Sequence, residues 1–481
     1  MYRIRILPLI LAAALAGCAV GPDYQRPDSA ATASGPAAAD AFREVPEGWT
    51  VASPADHVPR GAWWTVYGDP LLNELAAQVD VSNQNVAAAI ARYRQARSSA
   101  QEARAAFFPT LGLSYGASRN GSYDKNTQAV QIQNSQTLSL DASWEPDIWG
   151  GIRRQVESSD AGAEASAADL AAARLSAQAE LVQDYLQLRI TDAQKRLADE
   201  TAAAYARSLK LTQNKYAAGI VTRADVAQAQ SQLKSAEAQA IDLELSRRQL
   251  EHAIAILVGK APSQFSLVAD PGWQPALPMI PAGVPSQLLE RRPDVASAER
   301  AVASANAQVG VAKAAFFPSL VLKASGGFQS ASLSDWFNAP GRVWALGATV
   351  AETIFDAGAR SARSDQAVAA YDASVATYRQ TVLGGLQEVE DNLAAIDLLA
   401  KEVDAQNDAV AAAREAERLA LNQYTAGTVD YLNVASAQAT RYASEKTALQ
   451  LVGRQLSASV LLIKAIGGGW DGNVTPQLAR P

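Results

Sequence analysis

The chain holds one cysteine and two histidines, Cys18, His57 and His252, and these limit the chemistry it can support. A cysteine nucleophile needs an imidazole beside it, and a zinc site needs several His or Cys ligands. His57 stands in sequence without periodicity and His252 in a helix-like run, so neither set can be assembled. A single cysteine also excludes an intramolecular disulfide. The acidic group Glu388, Glu390 and Asp391 lies on sequence of helical period, where it reads as a solvated face. Gly326-Gly327 and Gly467–Gly469 lack the strand, loop and helix order of a phosphate cradle. The chain is not read as an enzyme, and no catalytic, cofactor or metal residues are expected.

The net charge of −7, with Lys and Arg scattered, argues against a nucleic-acid surface. Arg3 and Arg5 precede an apolar run from Ile6 to Leu15, broken by Pro8. This is the layout of a signal peptide over residues 1–17, too short to span a bilayer as a mature helix. It ends in Leu15-Ala16-Gly17-Cys18, which resembles the bacterial lipoprotein signal, in which the thiol is lipidated and becomes the mature N-terminus. The bland reading of Cys18 is an inert cysteine near a cleavage site. Ala19, rather than aspartate, follows it, which by the same resemblance points to the outer membrane. From there to about Arg60 the Pro, Ala, Ser and Asp content predicts an extended segment, giving 18–60 as a lipidated, extended N-terminal stretch.

The rest is a tandem duplication. AAFFPTLGLSYG from Ala105 recurs as AAFFPSLVLKAS from Ala314, and Tyr216-Ala-Ala-Gly-Ile-Val recurs as Tyr424-Thr-Ala-Gly-Thr-Val. Asn85-Val86 matches Asp294-Val295, and Leu257-Val258-Gly259 matches Ala465-Ile466-Gly467, all near one spacing. The division expected is repeat one over 61–270, repeat two over 271–470 and a tail over 471–481.

Within each repeat the period changes at a proline. Pro109 and Pro318 remove a backbone donor and end a helix. Beyond Pro109, Leu111, Leu113, Tyr115 and Ala117 alternate with small and polar residues, so a strand is expected over about Thr110–Ser118. A second is expected over about Thr137–Glu145, with a polar loop, Arg119–Gln136, between them. Repeat two supplies Leu320, Leu322, Ala324 and Phe328, then Trp344, Leu346, Ala348 and Val350. These strands read as membrane-crossing, or as soluble hairpins packing their apolar face on helices. Trp63-Trp64 reads as core or as an anchor at a membrane interface.

Each hairpin precedes a proline-free helical region. From Gly151 to Ala217 the positions Ala168, Ala172, Leu175, Ala179, Val182 and Leu186 keep coiled-coil spacing, and a helix of that length would be a rod of about 100 Å. Gly219 suits the turn, and Thr222 with Asp225 forms a capping pair for the return helix. Gly427 and Asp430 hold the corresponding places in repeat two, whose helices are expected over about Arg360–Thr425 and Asp430–Ile466. Four membrane strands cannot close into a barrel, so strands that cross require oligomerisation, and a trimer would supply twelve. A lipid-anchored coiled-coil scaffold without a pore is the alternative.

Cys18-Ala-Val-Gly-Pro-Asp-Tyr-Gln-Arg-Pro27, Trp63-Trp64 with Gly68-Asp69-Pro70-Leu71, the doubled Phe-Phe-Pro, Glu290-Arg291-Arg292-Pro293-Asp294 and Tyr-x-Ala-Gly before each turn together resemble the TolC-like outer-membrane factors, in their lipoprotein, OprM-type branch. The resemblance implies a mainly α fold: a homotrimer with a twelve-stranded outer-membrane β-barrel continuous with a periplasmic α-helical barrel. It implies a passive exit duct for drugs and small molecules, working with a periplasmic adaptor and an inner-membrane RND-type transporter. Export for a type I secretion system is the alternative within that class. By the same resemblance a gate lies at the turns. There Asp225 matches an acidic residue that bonds to a tyrosine, here Tyr424, and Leu432 matches an apolar constriction. Asn433 and Ser436 stand where constricting aspartates are common, so an anionic ring is not implied, and Asp430 reads equally as a helix cap.

Overall fold

The computed structural model describes residues 20–27, 43, 61–126, 128–275, 277–278, 292–332 and 341–468. The expected signal peptide, Cys18, most of the N-terminal stretch, Glu290-Arg291 and the tail lie outside the described residues.

Each Phe-Phe-Pro turns a helix into a strand. Helices α1 (Pro70–Ser82) and α2 (Gln84–Ala105) lead to strands β1 (Thr110–Asp124) and β2 (Ala129–Trp144), and then to α3 (Gly151–Ala217) and α4 (Arg223–Leu257). The second repeat supplies α5 (Pro293–Ala314), β3 (Ser319–Ser330), β4 (Arg342–Ala351), α6 (Ala359–Ala426) and α7 (Tyr431–Ala465). Short 3₁₀ turns cover Trp63–Tyr67 and Pro262–Gln264. Among the described residues no helix is long and apolar enough to cross a membrane.

The strands form one antiparallel sheet in the order β1-β2-β3-β4. Register carries the alternation across all of them. Leu111 lies opposite Ala142, Ala142 opposite Ala324 and Ala324 opposite Leu346; Leu113, Leu140, Gly326 and Trp344 form the next row. Directly opposed residues share a face, so one face is apolar over the rows from Val350 and Leu320 to Tyr115, Leu138 and Phe328, turning polar beyond them at Arg119, Asn134, Gln136 and Arg342, and the other carries Ser114, Ser139, Asp141, Ser325 and Gly347. On that polar face Ser114 and Ser139 donate to Asp141 Oδ2 at 2.9 and 2.8 Å. The apolar face is bare: Leu113 is 75% and Trp344 78% exposed. It does not pack on helices, which disposes of the soluble-hairpin reading.

The expected loop Arg119–Gln136 is a correction. Both strands run on through it to Asp124 opposite Ala129, leaving a tight connection. Ladder hydrogen bonds do not depend on side-chain polarity, and Tyr123, Val130 and Ile132 keep the two-residue period thinly among Asn, Gln and Ser.

By contacts the chain forms two compact units, each drawn from both repeats. The first comprises Met1–Asp28, Arg92–Ser166 and Ala298–Tyr378 and holds the sheet. The second comprises Ser29–Ala91, Ala167–Ser297 and Arg379–Pro481. Its core is lined by Leu170, Leu181, Tyr185, Leu188, Leu393 and Leu456. Trp63 and Trp64 are buried there at 7% and 4% exposure, and Trp63 Nε1 donates to Gln178 Oε1 at 3.3 Å, so the pair is core. Asp69 caps α1 through the Leu71 and Leu72 amides, and Tyr185 Oη donates to its other oxygen at 2.5 Å. Arg292 is buried and binds Asp294 and Glu388 at 2.7 Å and the Ala465 carbonyl at 3.0 Å, fastening the start of α5 to α6 and to the end of α7.

On α3, burial pushes the Asp184 carboxyl up to about 6, the nearby Glu180 carboxylate adding to it. The unfolded chain ionises this group near pH 4 and the folded chain near 6, so folded stability falls as pH rises between them. Asp184→Asn removes that loss. Thermal unfolding is expected to show the variant about 1–2 kcal/mol more stable at pH 7, after allowance for solvent screening, with the difference vanishing at pH 4.

Candidate functional site

The two turns that join the long helices bring together the densest set of sequence-derived positions. Gly219 (φ 73°) and Gly427 (φ 81°) take the left-handed conformation that ends α3 and α6. At the first turn Asp225 Oδ2 accepts from Thr222 N at 2.8 Å and from Thr222 Oγ1 at 2.7 Å, while Thr222 Oγ1 accepts from Asp225 N. This is a complete capping box. Asp430 holds the equivalent place before α7, but its side chain caps nothing; only its carbonyl accepts, from Asn433 N at 3.2 Å. Asp225 and Tyr424 are not hydrogen-bonded to each other within the chain.

Tyr424 and Tyr431, 2% and 1% exposed, meet edge to face at 5.7 Å and pack with Ala229, Val434 and Ala435. Their polar contacts run between the first helical pair and the second. Thr212 Oγ1 spends its proton on the Ser208 carbonyl, so Tyr424 Oη donates to Thr212 Oγ1 at 3.0 Å. The Lys215 ammonium stands 4.1 Å over the Tyr424 ring and donates to the Tyr424 carbonyl. Tyr431 Oη donates to Gln232 Oε1 at 2.9 Å, and Gln232 Nε2 donates to the Ala435 carbonyl. Gln438 Nε2 donates to Ser208 Oγ at 3.1 Å. Burial, with Tyr205 and Tyr424 adding, pushes the Tyr431 phenol up to about 12, so it stays a neutral donor at physiological pH.

The other side of α7 is open. Leu432 is 66% exposed, and Asn433 and Ser436 are exposed beside it. Three- and four-residue spacing puts them on one stripe, opposite buried Tyr431, Val434, Ala435 and Gln438. Sequence reading missed Thr212, Lys215, Gln232 and Tyr431. A signal was there: the repeated motif reads Asn214-Lys215-Tyr216 once and Asn422-Gln423-Tyr424 the second time, and Tyr216 is 47% exposed where Tyr424 is buried. The copies have diverged where one must grip the other.

In the first unit, residues 20–27 lie along the helix–strand junctions. Val20 N donates to the Trp149 carbonyl at 3.0 Å, Arg154 pairs with Asp23 at 2.7 Å, and Asn306 Nδ2 donates to the Pro22 carbonyl at 3.0 Å. Gly21 (φ 105°) lies so close to α5 that a Cβ there would stand 2.5 Å from Gly310 Cα. Trp149 in turn stacks on Phe317 at 4.8 Å and donates to the Pro318 carbonyl at 2.7 Å. Within repeat one, Trp144 Nε1 donates to the Phe107 carbonyl at 3.0 Å.

A family profile described as outer membrane efflux protein matches the chain twice, over residues 75–260 and 284–468. The chain belongs to the outer membrane efflux protein family. It is 34% identical over 450 residues to the pyoverdine export outer membrane protein OpmQ of Pseudomonas aeruginosa, covering 92% of this chain and 94% of that one. It is 31% identical to the toluene efflux pump outer membrane protein TtgF of Pseudomonas putida, with 98% of each covered. Among solved structures it resembles the outer-membrane channel OprN, with a TM-score of 0.84 and 31% identity over 94% of this chain and all of that one. It also resembles the open state of the Neisseria gonorrhoeae MtrE outer membrane channel, with a TM-score of 0.82 and 29% identity over 95% of this chain and all of that one. The mostly helical, TolC-like fold and the outer-membrane location follow from this membership.

Tyr424→Phe removes one bond across the turns and is expected to cost about 1 kcal/mol. Amide exchange near both turns should quicken. If the hydroxyls act as a pair, Tyr424→Phe with Thr212→Val costs less than the sum of the two single substitutions in thermal unfolding.

Proposed function

We propose that the chain is the outer-membrane exit duct of a tripartite efflux system, passing small molecules delivered by an inner-membrane RND-type transporter and a periplasmic adaptor. The observation that carries this is the sheet: a band of one face, from Val350 and Leu320 to Leu113 and Trp344, is apolar and bare, and the other face is lined by Ser, Thr, Gly and Gln. Such a sheet suits hydrocarbon on one side and a wet lumen on the other. A pore-free scaffold has no use for it. Four strands leave two open edges, which hydrocarbon does not tolerate, so three copies close a twelve-stranded barrel. Repeats 61–270 and 271–470 each supply one hairpin and one helical pair. The lipid carried by Cys18 holds the chain at the membrane through the strap that begins at Val20.

In this reading the turns form the gate. Leu432, Asn433 and Ser436 line the constriction on the exposed stripe of α7, and Asp225 and Tyr424 keep each turn in its closed form. The duct consumes no energy, and its selectivity resides mainly in the pump.

Native mass spectrometry of the detergent-extracted protein is expected to give a trimer that conducts in planar bilayers; a monomer that never conducts would return the scaffold reading. Asp225→Ala with Tyr424→Phe should raise single-channel conductance and entry of large antibiotics. Unchanged values in both assays would remove these residues from the gate.

A further inference from the structure

On the polar face of the sheet, charge away from the strand ends stands in one place. The residues facing this way are Thr, Gly, Ser and Asn on β1, Ala, Ser, Thr and Gln around Asp141 on β2, Ser, Val, Gly and Gln around Lys323 on β3, and Val, Ala, Gly and Thr on β4. The third charge, Asp124, ends β1, where it accepts from the Asn126 amide at 2.8 Å. Asp141 faces Ser325, two residues along β3 from Lys323, so the two charges are diagonal neighbours with Cβ atoms about 7–8 Å apart. We infer that Asp141 and Lys323 set the charge selectivity of the membrane lumen: one carboxylate and one ammonium from each copy form a balanced collar that admits ions of either sign. This rests on the reading of the protein as a closed ring of copies with the polar face inward.

The two charges are kept apart and left open. Ser114 on β1 and Ser139 on β2 donate to Asp141 Oδ2 at 2.9 and 2.8 Å, which holds the carboxylate on the β1 side of β2, whereas Lys323 lies on the β3 side. Among the described residues Lys323 makes no ion pair and no hydrogen bond. Gly112 stands opposite Asp141 and Gly347 opposite Lys323, and a Cβ at either would meet nothing within 4 Å. No side chain at those places covers the charges, and they share an open groove of about 650 Å³ with Ser143 and Ser325.

The duplication supplies an independent observation. Leu111 and Leu320 each stand two residues past their proline and face Ala142 and Val350. Lys323 is therefore the counterpart of Ser114, and Asp141 the counterpart of Thr349. Both repeats hold the same diagonal between their two strands, filled by Ser114 and Asp141 in one and by Lys323 and Thr349 in the other. Each repeat places its charge on this diagonal and nowhere else along the interior of the face, and the signs are opposite.

Rings of fixed charge decide which ions enter a water-filled pore. In a closed ring of copies the pair recurs around one level of an otherwise neutral wall, near the proline end of the strands. Removing either member leaves a ring of a single sign. The pump still chooses what is delivered; the collar acts on the sign of what passes.

Reversal potentials of the full-length protein in planar bilayers test this, under a tenfold KCl gradient kept dilute because the Debye length is about 30 Å at 0.01 M. Lys323→Gln is expected to raise the K⁺ to Cl⁻ permeability ratio several-fold and Asp141→Asn to lower it several-fold, with the double variant returning to the wild-type ratio. Cys18 is the only native cysteine and its thiol is acylated in this reading, so Lys323→Cys offers one free thiol. A cationic methanethiosulfonate reagent should restore the wild-type ratio in that variant and an anionic one should drive it further toward cations, with neither acting on the wild-type protein. Channels that conduct with one unchanged ratio across these variants and reagents overturn the collar and leave the duct standing. A protein that never conducts removes the duct reading and the collar with it.

Discussion

A four-stranded sheet with Leu113, Tyr115, Leu140, Leu346 and Trp344 on an uncovered face sets the terms for the rest of the molecule. In water such a surface costs roughly 25 cal/mol for each Å² left exposed. Helices could cover it, yet none does, and the polar face opposite, with Asp141 held by two serine hydroxyls, is equally unsuited to a dry core. Hydrocarbon relieves the apolar face and sharpens the problem of the edges, where every free amide and carbonyl would lack a partner. One physical requirement thus leads from side-chain alternation to membrane insertion, and from insertion to assembly.

The long helices meet a related shortage. Their seams are rich in alanine, which allows close approach but buries little area per residue. Alanine faces also specify register weakly, since one small side chain fits nearly as well as its neighbour. Large and polar groups then determine position. Arg292 joins α5 to α6 and α7 through two carboxylates and a helix-terminal carbonyl. Tyr424 and Tyr431 do the same at the turns, each burying a ring while its hydroxyl reaches the opposite helical pair. A buried tyrosine whose hydroxyl is satisfied contributes both area and geometry.

Much of this was legible in the residues because it rests on local chemistry. Pro109 and Pro318 mark the helix–strand junctions, and Gly219 and Gly427 mark the turns, since backbone conformation leaves few alternatives there. The alternation from Leu111 to Ala117 located β1 but not its end. Beyond Ser118 the strand is held by its ladder while its side chains turn polar, and polarity was the cue available. Lys215, Thr212 and Gln232 were invisible for a different reason. Each is an ordinary helical residue whose role exists only when another helix, more than 190 residues away, presents Tyr424, Tyr431 or Ala435 to it.

The duplication makes the difference between the two turns informative. Both descend from one unit, and both end a helix on a left-handed glycine. The first closes on itself through Thr222 and Asp225. The second has no such box: Val429 stands where the first has Val221, and Asp430, at the place of Thr222, leaves its carboxylate uncommitted. Beyond the Thr428 amide and hydroxyl, which both donate to the Gln423 carbonyl at 3.0 Å, the second turn is held by contacts borrowed from the first pair of helices, through Thr212, Lys215 and Gln232. A turn that caps itself keeps its shape whatever its neighbours do, whereas one held by a neighbour changes when the neighbour moves. Leu432, Asn433 and Ser436 all stand on the helix that follows the dependent turn. Any displacement of α3 against α6 would therefore be transmitted to that exposed stripe, while the Thr222–Asp225 cap stays intact.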